Sequence, residues 1–328
     1  MIVVTGAAGF IGSNIVADLE LSGKGPIAVC DWFGSGDKWL NLAKRSIAAF
    51  VAPEGLIDFL NANASSIRAV IHMGAISATT EKDVDRLIEL NINFSVNLWD
   101  WCATANVPFI YASSAATYGD RESDFDDRDD MGFLSELRPL NGYGWSKKVV
   151  DQIFSARVAE GKPKPPQWVG FKFFNVYGPN EYHKDGMRSV ISKLFDTIST
   201  GQGIKLFRSH RPDVRDGEQL RDFVYVKDCS RVVCWTLDNP ALNGIFNLGT
   251  GKARSFLDLA TLVRTRLNKD ASIEFIDMPE SIRAKYQYFT QADMTKLRST
   301  GMSFEFTSLE GGIEDYLEKY LLQDDRYR

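Results

Sequence analysis

The segment Met1–Glu20, MIVVTGAAGFIGSNIVADLE, passes from an apolar β-branched run through glycines at Gly6, Gly9 and Gly12. Apolar residues then recur at Ile11, Ile15, Val16 and Leu19, a helical period. The segment predicts a strand, a tight glycine turn and a helix. Glycines there let the backbone turn sharply and approach a pyrophosphate, whose charge is met by the helix N-terminus. The spacing is G-x-x-G-x-x-G rather than the G-x-G-x-x-G of ordinary dehydrogenases. A dinucleotide site at the head of an α/β chain is the expectation.

The next strand-like run, PIAVCD, ends in Asp31, nineteen residues after Gly12. An acid at that place accepts hydrogen bonds from the adenosine ribose hydroxyls and favours NAD over NADP. Lys38, Lys44 and Arg45 follow, and each is a cation that could reach a 2′-phosphate, although Lys44 and Arg45 read better as a solvated face. Strand-like and helix-like segments continue to alternate: AVIHMGA (69–75), a long helix within 83–105, VPFIYASS (107–114), a helix after Tyr143, and QWVGFKFFN (167–175). That rhythm predicts a doubly wound, mostly parallel α/β sheet of Rossmann type with ligands at the carboxyl ends of its strands. HMGAISATT lies at one such end, where Gly74, Ala75 and Ser77 leave room for a cofactor beside the backbone. Asn91 is a polar residue among Leu87, Ile88, Leu90 and Ile92; it either faces the cofactor or is a buried, satisfied asparagine.

NGYGWSKK (141–148) sets Tyr143 and Lys147 four residues apart. On a helix that spacing puts both on one face, and a lysine ammonium beside a phenol favours phenolate and draws its pKa down. Ser114, at the end of YASS, could hydrogen-bond a substrate alcohol or the carbonyl it becomes. Either feature alone has an ordinary structural explanation. With the glycine turn before them, in this order, they point to proton and hydride chemistry.

Bulk properties agree. The 328 residues are 44% hydrophobic and 25% charged, as in ordinary globular proteins, and the net charge of −5 argues against a nucleic-acid scaffold. The four cysteines and three histidines show no metal-ligand spacing, so no metal is expected. With neither a signal-like segment nor a long apolar span, a cytoplasmic protein with no membrane partner is expected.

These residues resemble the extended short-chain dehydrogenase/reductase family of nucleotide-sugar epimerases and dehydratases. The resemblance implies a catalytic Ser114, Tyr143 and Lys147. Dehydratases of that family carry an acidic pair directly after the serine or threonine, where this chain has Ala115 and Ala116, so water elimination is not expected. FFNVYGPNEYHK, RDFVYVKD, GIFNLGTG and KYQYFTQAD are similar to the branch that inverts carbon 6 of an ADP-heptose, a precursor of the lipopolysaccharide core. That similarity implies Lys184 as a second acid/base residue and NADP as the tightly bound cofactor, with NAD as the alternative. It implies cofactor contacts from Gly6, Gly9, Phe10, Ile11, Gly12, Asp31, Trp32, Lys38, Met73, Gly74, Ala75, Ser77, Asn91, Lys147, Val176 and Lys184. It implies substrate contacts from Asn175, Gly186, Lys193, Phe207, Arg208, Ser209, His210, Arg221 and Tyr286, with the Arg221 guanidinium suited to a diphosphate.

Trp32 stands where a smaller polar residue is common, and Pro53 where a basic residue would help to hold a 2′-phosphate, which keeps NAD in view. The expected domains are a cofactor unit (1–173, 220–250, 288–296) and a discontinuous substrate unit (174–219, 251–287, 297–328). The final amphipathic stretch, LEGGIEDYLEKYLLQ, either closes the small unit or joins another subunit of a homo-oligomer. Two other readings stay open: another epimerase or keto-sugar reductase with the same three residues, and a non-catalytic dinucleotide-binding regulator.

Overall fold

The computed structural model describes residues 1–283 and 286–328. Its strands run β1 (Ile2–Thr5), β2 (Ile27–Cys30), β3 (Ala49–Val51), β4 (Ala69–His72), β5 (Phe109–Ser114), β6 (Trp168–Phe173), β7 (Asn175–Tyr177), β8 (Ile204–Phe207), β9 (Leu220–Tyr225), β10 (Gly244–Leu248), β11 (Ala253–Ser255) and β12 (Ile273–Ile276). Seven of them form one sheet in the order β10-β6-β5-β4-β1-β2-β3, every pair parallel. A parallel sheet covered by helices on both faces needs strands that are apolar throughout, and β1, β2 and β4 are buried at every position. The β3-β2-β1-β4-β5-β6 run is the doubly wound order that the alternation predicts, with β10 added at the edge.

Thr5 of β1 lies level with Cys30 of β2 and His72 of β4. The residues after those three positions, Gly6, Asp31 and Met73, therefore emerge together at one edge. Thr5 Oγ1 and His72 Nδ1 are 2.6 Å apart and His72 Nε2 is 2.9 Å from Ser95 Oγ, so His72 is a satisfied core histidine beneath that edge. Burial pushes its pKa down to about 3 and keeps it neutral.

A three-stranded sheet (β11-β9-β7) and a two-stranded one (β12-β8) build the rest. Two apolar cores result. The larger surrounds the main sheet; the smaller joins Tyr177, the helix Val190–Ser199, β9 and the helix Leu309–Tyr316. The C-terminal helix thus buries Leu309, Ile313 and Tyr316 within the chain itself. Leu297 and Met302, expected in the small unit, pack into the large core, because the helix Thr295–Ser299 folds against β10. Phe10, the first residue of the helix Phe10–Leu21, belongs to the small core although its helix covers the large one. The glycine turn consequently sits at the seam between the two.

Candidate active site

A cleft of about 1130 Å³ follows that seam. At one end lies the glycine turn. Gly9 caps the helix Phe10–Leu21 without any side-chain cap, and no acid sits in the first turn, which leaves the helix N-terminus free for an anion. The close fit here demands glycine. Gly6 has φ +62°, and a Cβ on it would lie 2.6 Å from Gly74 N; one on Gly12 would lie 2.1 Å from Gly6 O. These residues fit a dinucleotide pyrophosphate, and Gly6, Gly9, Phe10, Ile11 and Gly12 all line the cleft.

Asp31 leaves β2 beside the turn, its Oδ2 accepting from Ala8 N at 2.9 Å and its Oδ1 from Lys38 Nζ at 2.6 Å. Trp32, Lys38, Met73, Gly74, Ala75 and Ser77 also line the cleft. Asn91 does not. It is fully buried in a π-helical segment, Ile88–Asn93, where its amide bonds Ile76 N (2.8 Å), Ile76 O (3.0 Å) and Ser146 Oγ (3.0 Å). Its side chain is that of a satisfied, buried asparagine: it ties the loop after β4 to the helix Gly142–Ala159, while its neighbours Asn93 and Asn97 line the cleft.

Ser114, Tyr143 and Lys147 meet in the middle of the cleft. Asn141 caps the helix Gly142–Ala159 through Gly144 N at 2.8 Å, which fixes where that helix starts and places Tyr143 and Lys147 on its first two turns. Gly144 is packed against Ala116, so the helix seats directly on the turn that follows Ser114. The Ser114 hydroxyl lies near enough to the Tyr143 phenol to influence its ionisation.

The charge balance differs from the one expected. Burial is the largest influence on Tyr143 and raises its pKa; the Ser114 hydroxyl lowers it, and the Asp151 charge raises it further. Lys147 is itself buried, which pulls its ammonium down to about 8 against the opposing charge of Asp151. Desolvation of the phenolate therefore sets the direction of its shift in the protein alone. Asp151 sits one helical turn beyond Lys147 and is fully buried with Lys172 at 2.6 Å. Its carboxylate also accepts from Ser113 Oγ at 2.7 Å and Tyr111 Oη at 3.0 Å.

The far wall comes from β7 and the 3-10 turn Tyr182–Met187, which contribute Asn175, Val176, His183 and Lys184. Lys184 stands over the Phe10 ring at 5.6 Å, and burial lowers its pKa while Glu181 opposes the shift. Asp185, next to it, holds φ 44° and ψ −119°, a conformation that a non-glycine residue adopts only under local constraint.

The other expected substrate residues, Gly186, Lys193, Phe207, Arg208, Ser209, His210, Arg221 and Tyr286, lie outside the residues lining this cleft. Arg221 is buried between Tyr286 (5.2 Å) and Phe256 (5.6 Å), and its guanidinium donates to the carbonyls of Leu220 and Gln287. It therefore braces an aromatic group that also includes Phe207, 6.2 Å from Tyr286, rather than presenting an open fork to the cleft. Phe256 alone of that group borders the cleft. Residues that sequence reading did not single out, among them Glu54, Arg86, Glu89, His183 and Arg188, complete the lining. They carry no motif, and only the meeting of distant segments brings them there.

Comparison with known proteins agrees with this architecture. Residues 2–249 match the NAD dependent epimerase/dehydratase family. The chain is 44% identical over its whole length to the ADP-L-glycero-D-manno-heptose-6-epimerase of Fusobacterium nucleatum, and all of that protein is covered. It is 47% identical to the protein of the same name from Nitratidesulfovibrio vulgaris strain DP4, again with both chains fully covered. Among solved structures, the Helicobacter pylori ADP-L-glycero-D-manno-heptose-6-epimerase superposes with a TM-score of 0.80 at 27% identity, covering 97% of this chain and 95% of that one. The Thermus thermophilus UDP-glucose 4-epimerase, solved in complex with NAD, gives 0.75 at 25% identity, with 97% of each chain covered. On its fold, its cleft and these relatives, the chain belongs to the NAD-dependent epimerase/dehydratase family and, within it, to the ADP-L-glycero-D-manno-heptose-6-epimerase group.

Proposed function

We propose that the chain converts ADP-D-glycero-D-manno-heptose to ADP-L-glycero-D-manno-heptose through a transient 6-keto sugar, in supply of the lipopolysaccharide core. One observation carries the reading: a single cleft is lined by two separate titratable groups, Tyr143 from the helix Gly142–Ala159 and Lys184 from the turn Tyr182–Met187. Inversion through a planar ketone needs a proton partner for each of two alcohols that point in different directions, and a simple reductase needs only one.

A bound oxidised nicotinamide would supply the hydride acceptor and a positive charge beside the phenol. Gly6, Gly9 and the free N-terminus of the helix Phe10–Leu21 would hold its pyrophosphate, and Asp31 its ribose. Tyr143 serves as acid/base for the C6 hydroxyl of one epimer, with Ser114 holding the oxygen. Lys184 does so for the other, its depressed pKa making the neutral amine more accessible near neutral pH. Lys147, buried at the back, orients the phenol and contributes charge. Asn175 meets the sugar where β7 opens onto the cleft, and Val176 gives the cofactor an apolar contact. Family resemblance points to NADP; the charges at the ribose end point to NAD.

Proton NMR of purified protein with ADP-D-glycero-D-manno-heptose, for wild type, Tyr143→Phe and Lys184→Met, tests the assignment. The expected result is conversion to the L-glycero epimer without net cofactor reduction, impaired in both variants. Full activity of Lys184→Met puts the second base elsewhere. Net reduction of the cofactor in step with product turns the reading to a dehydrogenase.

A further inference from the structure

The ribose end of the cleft is lined by Asp31, Trp32, Lys38, Pro53 and Glu54, brought together from the ends of β2 and β3 and the 3-10 turn Asp37–Leu42. Glu54 Oε1 accepts from Trp32 Nε1 at 2.8 Å, which fixes its carboxylate on the rim beside Asp31. Lys38 is the cation among these lining residues, and it is already engaged: its Nζ donates to Asp31 Oδ1 at 2.6 Å and to Trp32 O at 2.8 Å. The two basic residues a little further along are paired away from the rim, Lys44 with Asp325 and Arg45 with Glu20, each at 2.7 Å. His183, hydrogen-bonded to Asn41 on the same turn as Lys38, stays neutral, because burial first, and then the Lys38 charge, pushes its pKa down to about 4. Asp37 adds a further exposed acid at the start of the same turn. The field of the rim reaches the end of β2, where the Cys30 thiol is pushed up to about 12 by burial and then by Asp31 and Glu54.

Counting only the lining residues, two carboxylates and one ammonium leave this rim with one net negative charge. The ribose 2′-hydroxyl of NAD finds acceptors there. A 2′-phosphate carries roughly two negative charges of its own near neutral pH. To bind it, Lys38 would have to leave Asp31, which would then face the phosphate together with Glu54. Either way, like charges meet in a partly desolvated corner.

We infer that this chain selects NAD over NADP, and that Glu54 is the residue that rejects the 2′-phosphate. The inference rests on the dinucleotide epimerase reading above and specifies which dinucleotide that site takes. It reverses what family resemblance implies.

Dialysis of the purified protein against an equimolar mixture of NAD and NADP, followed by acid release and chromatography of what stays bound, tests it without any turnover. The expected ratio of NAD to NADP is about ten or more, equivalent to ~1.4 kcal/mol or more. Glu54→Gln keeps an acceptor for Trp32 and removes the charge, so the ratio should fall several-fold; Glu54→Lys should carry it below one. A wild-type ratio of one or less overturns the inference and leaves the epimerase reading intact. An unchanged ratio in Glu54→Lys overturns the role of Glu54. Retention of neither dinucleotide overturns the epimerase reading itself.

Discussion

Lys172→Met is the most searching perturbation of the site, because it strikes beneath the proposed catalytic residues without touching the cleft. Lys172 Nζ lies 2.6 Å from Asp151 Oδ2, and both side chains are wholly inaccessible to solvent. The ammonium also donates to Thr117 Oγ1 at 2.8 Å, and Thr117 in turn donates to Ser114 O at 2.8 Å. Methionine fills the same space and removes the hydrogen-bonded charge, leaving the Asp151 carboxylate with the hydroxyls of Ser113 and Tyr111 and the more distant Lys147 ammonium. Breaking a buried pair from one side costs about 3–5 kcal/mol, against a total stability of roughly 5–15 kcal/mol for a folded domain. Asp151→Asn added to Lys172→Met removes the stranded charge but keeps an acceptor for the hydroxyls. The double variant should therefore recover about 2 kcal/mol or more relative to Lys172→Met alone. Urea unfolding read by the fluorescence of Trp99 and Trp168, both buried in the same core, measures it. A loss below about 1 kcal/mol in Lys172→Met, or a double variant as unstable as the sum of the singles, refutes the argument that charge compensation holds this core together.

Besides the NMR test of Tyr143 and Lys184 and the cofactor competition at Glu54, two further outcomes are expected. Lys147 is charged below about 8, so its ammonium is present at neutral pH and is lost as pH rises through that value; kcat/KM should fall on an alkaline limb near 8. A profile flat to well above 9 would show that the ammonium is dispensable. In the glycine turn, Gly12→Ala puts a Cβ 2.1 Å from Gly6 O, backbone that cannot step aside, whereas Gly9→Ala meets the same oxygen at 3.0 Å. The Gly12 variant should lose bound dinucleotide and about 1–3 kcal/mol of stability, the Gly9 variant much less, as read by cofactor content after gel filtration and by thermal melting. Equal effects from the two substitutions would sink the steric account.

What was legible beforehand was local. The strand–glycine–helix order at residues 1–20 depends on contacts within a few residues, and so does the Tyr143/Lys147 pairing on one helix face. Asn91 shows where such reading stops. Its sequence neighbours are compatible with facing a cofactor or facing the interior, and the π-helical register of Ile88–Asn93, held by Ile76 and Ser146, turns it inward. Arg221 shows the same limit. Its forked donors suit a diphosphate, but the rings of Phe256 and Tyr286 and two backbone carbonyls claim it.

Short-range pattern thus determined the class of sheet, the glycine turn and the Tyr143/Lys147 pairing, because backbone sterics and helical period act over three or four residues; Ser114 joined that pair through family resemblance. Only tertiary structure decided that Glu54 stands beside Trp32, that Lys172 neutralises Asp151 under the active site, and that Tyr143 is raised rather than lowered. Each of those outcomes depends on how much water is excluded and on which distant charge comes near. Both are properties of the packed chain and of no single segment of it.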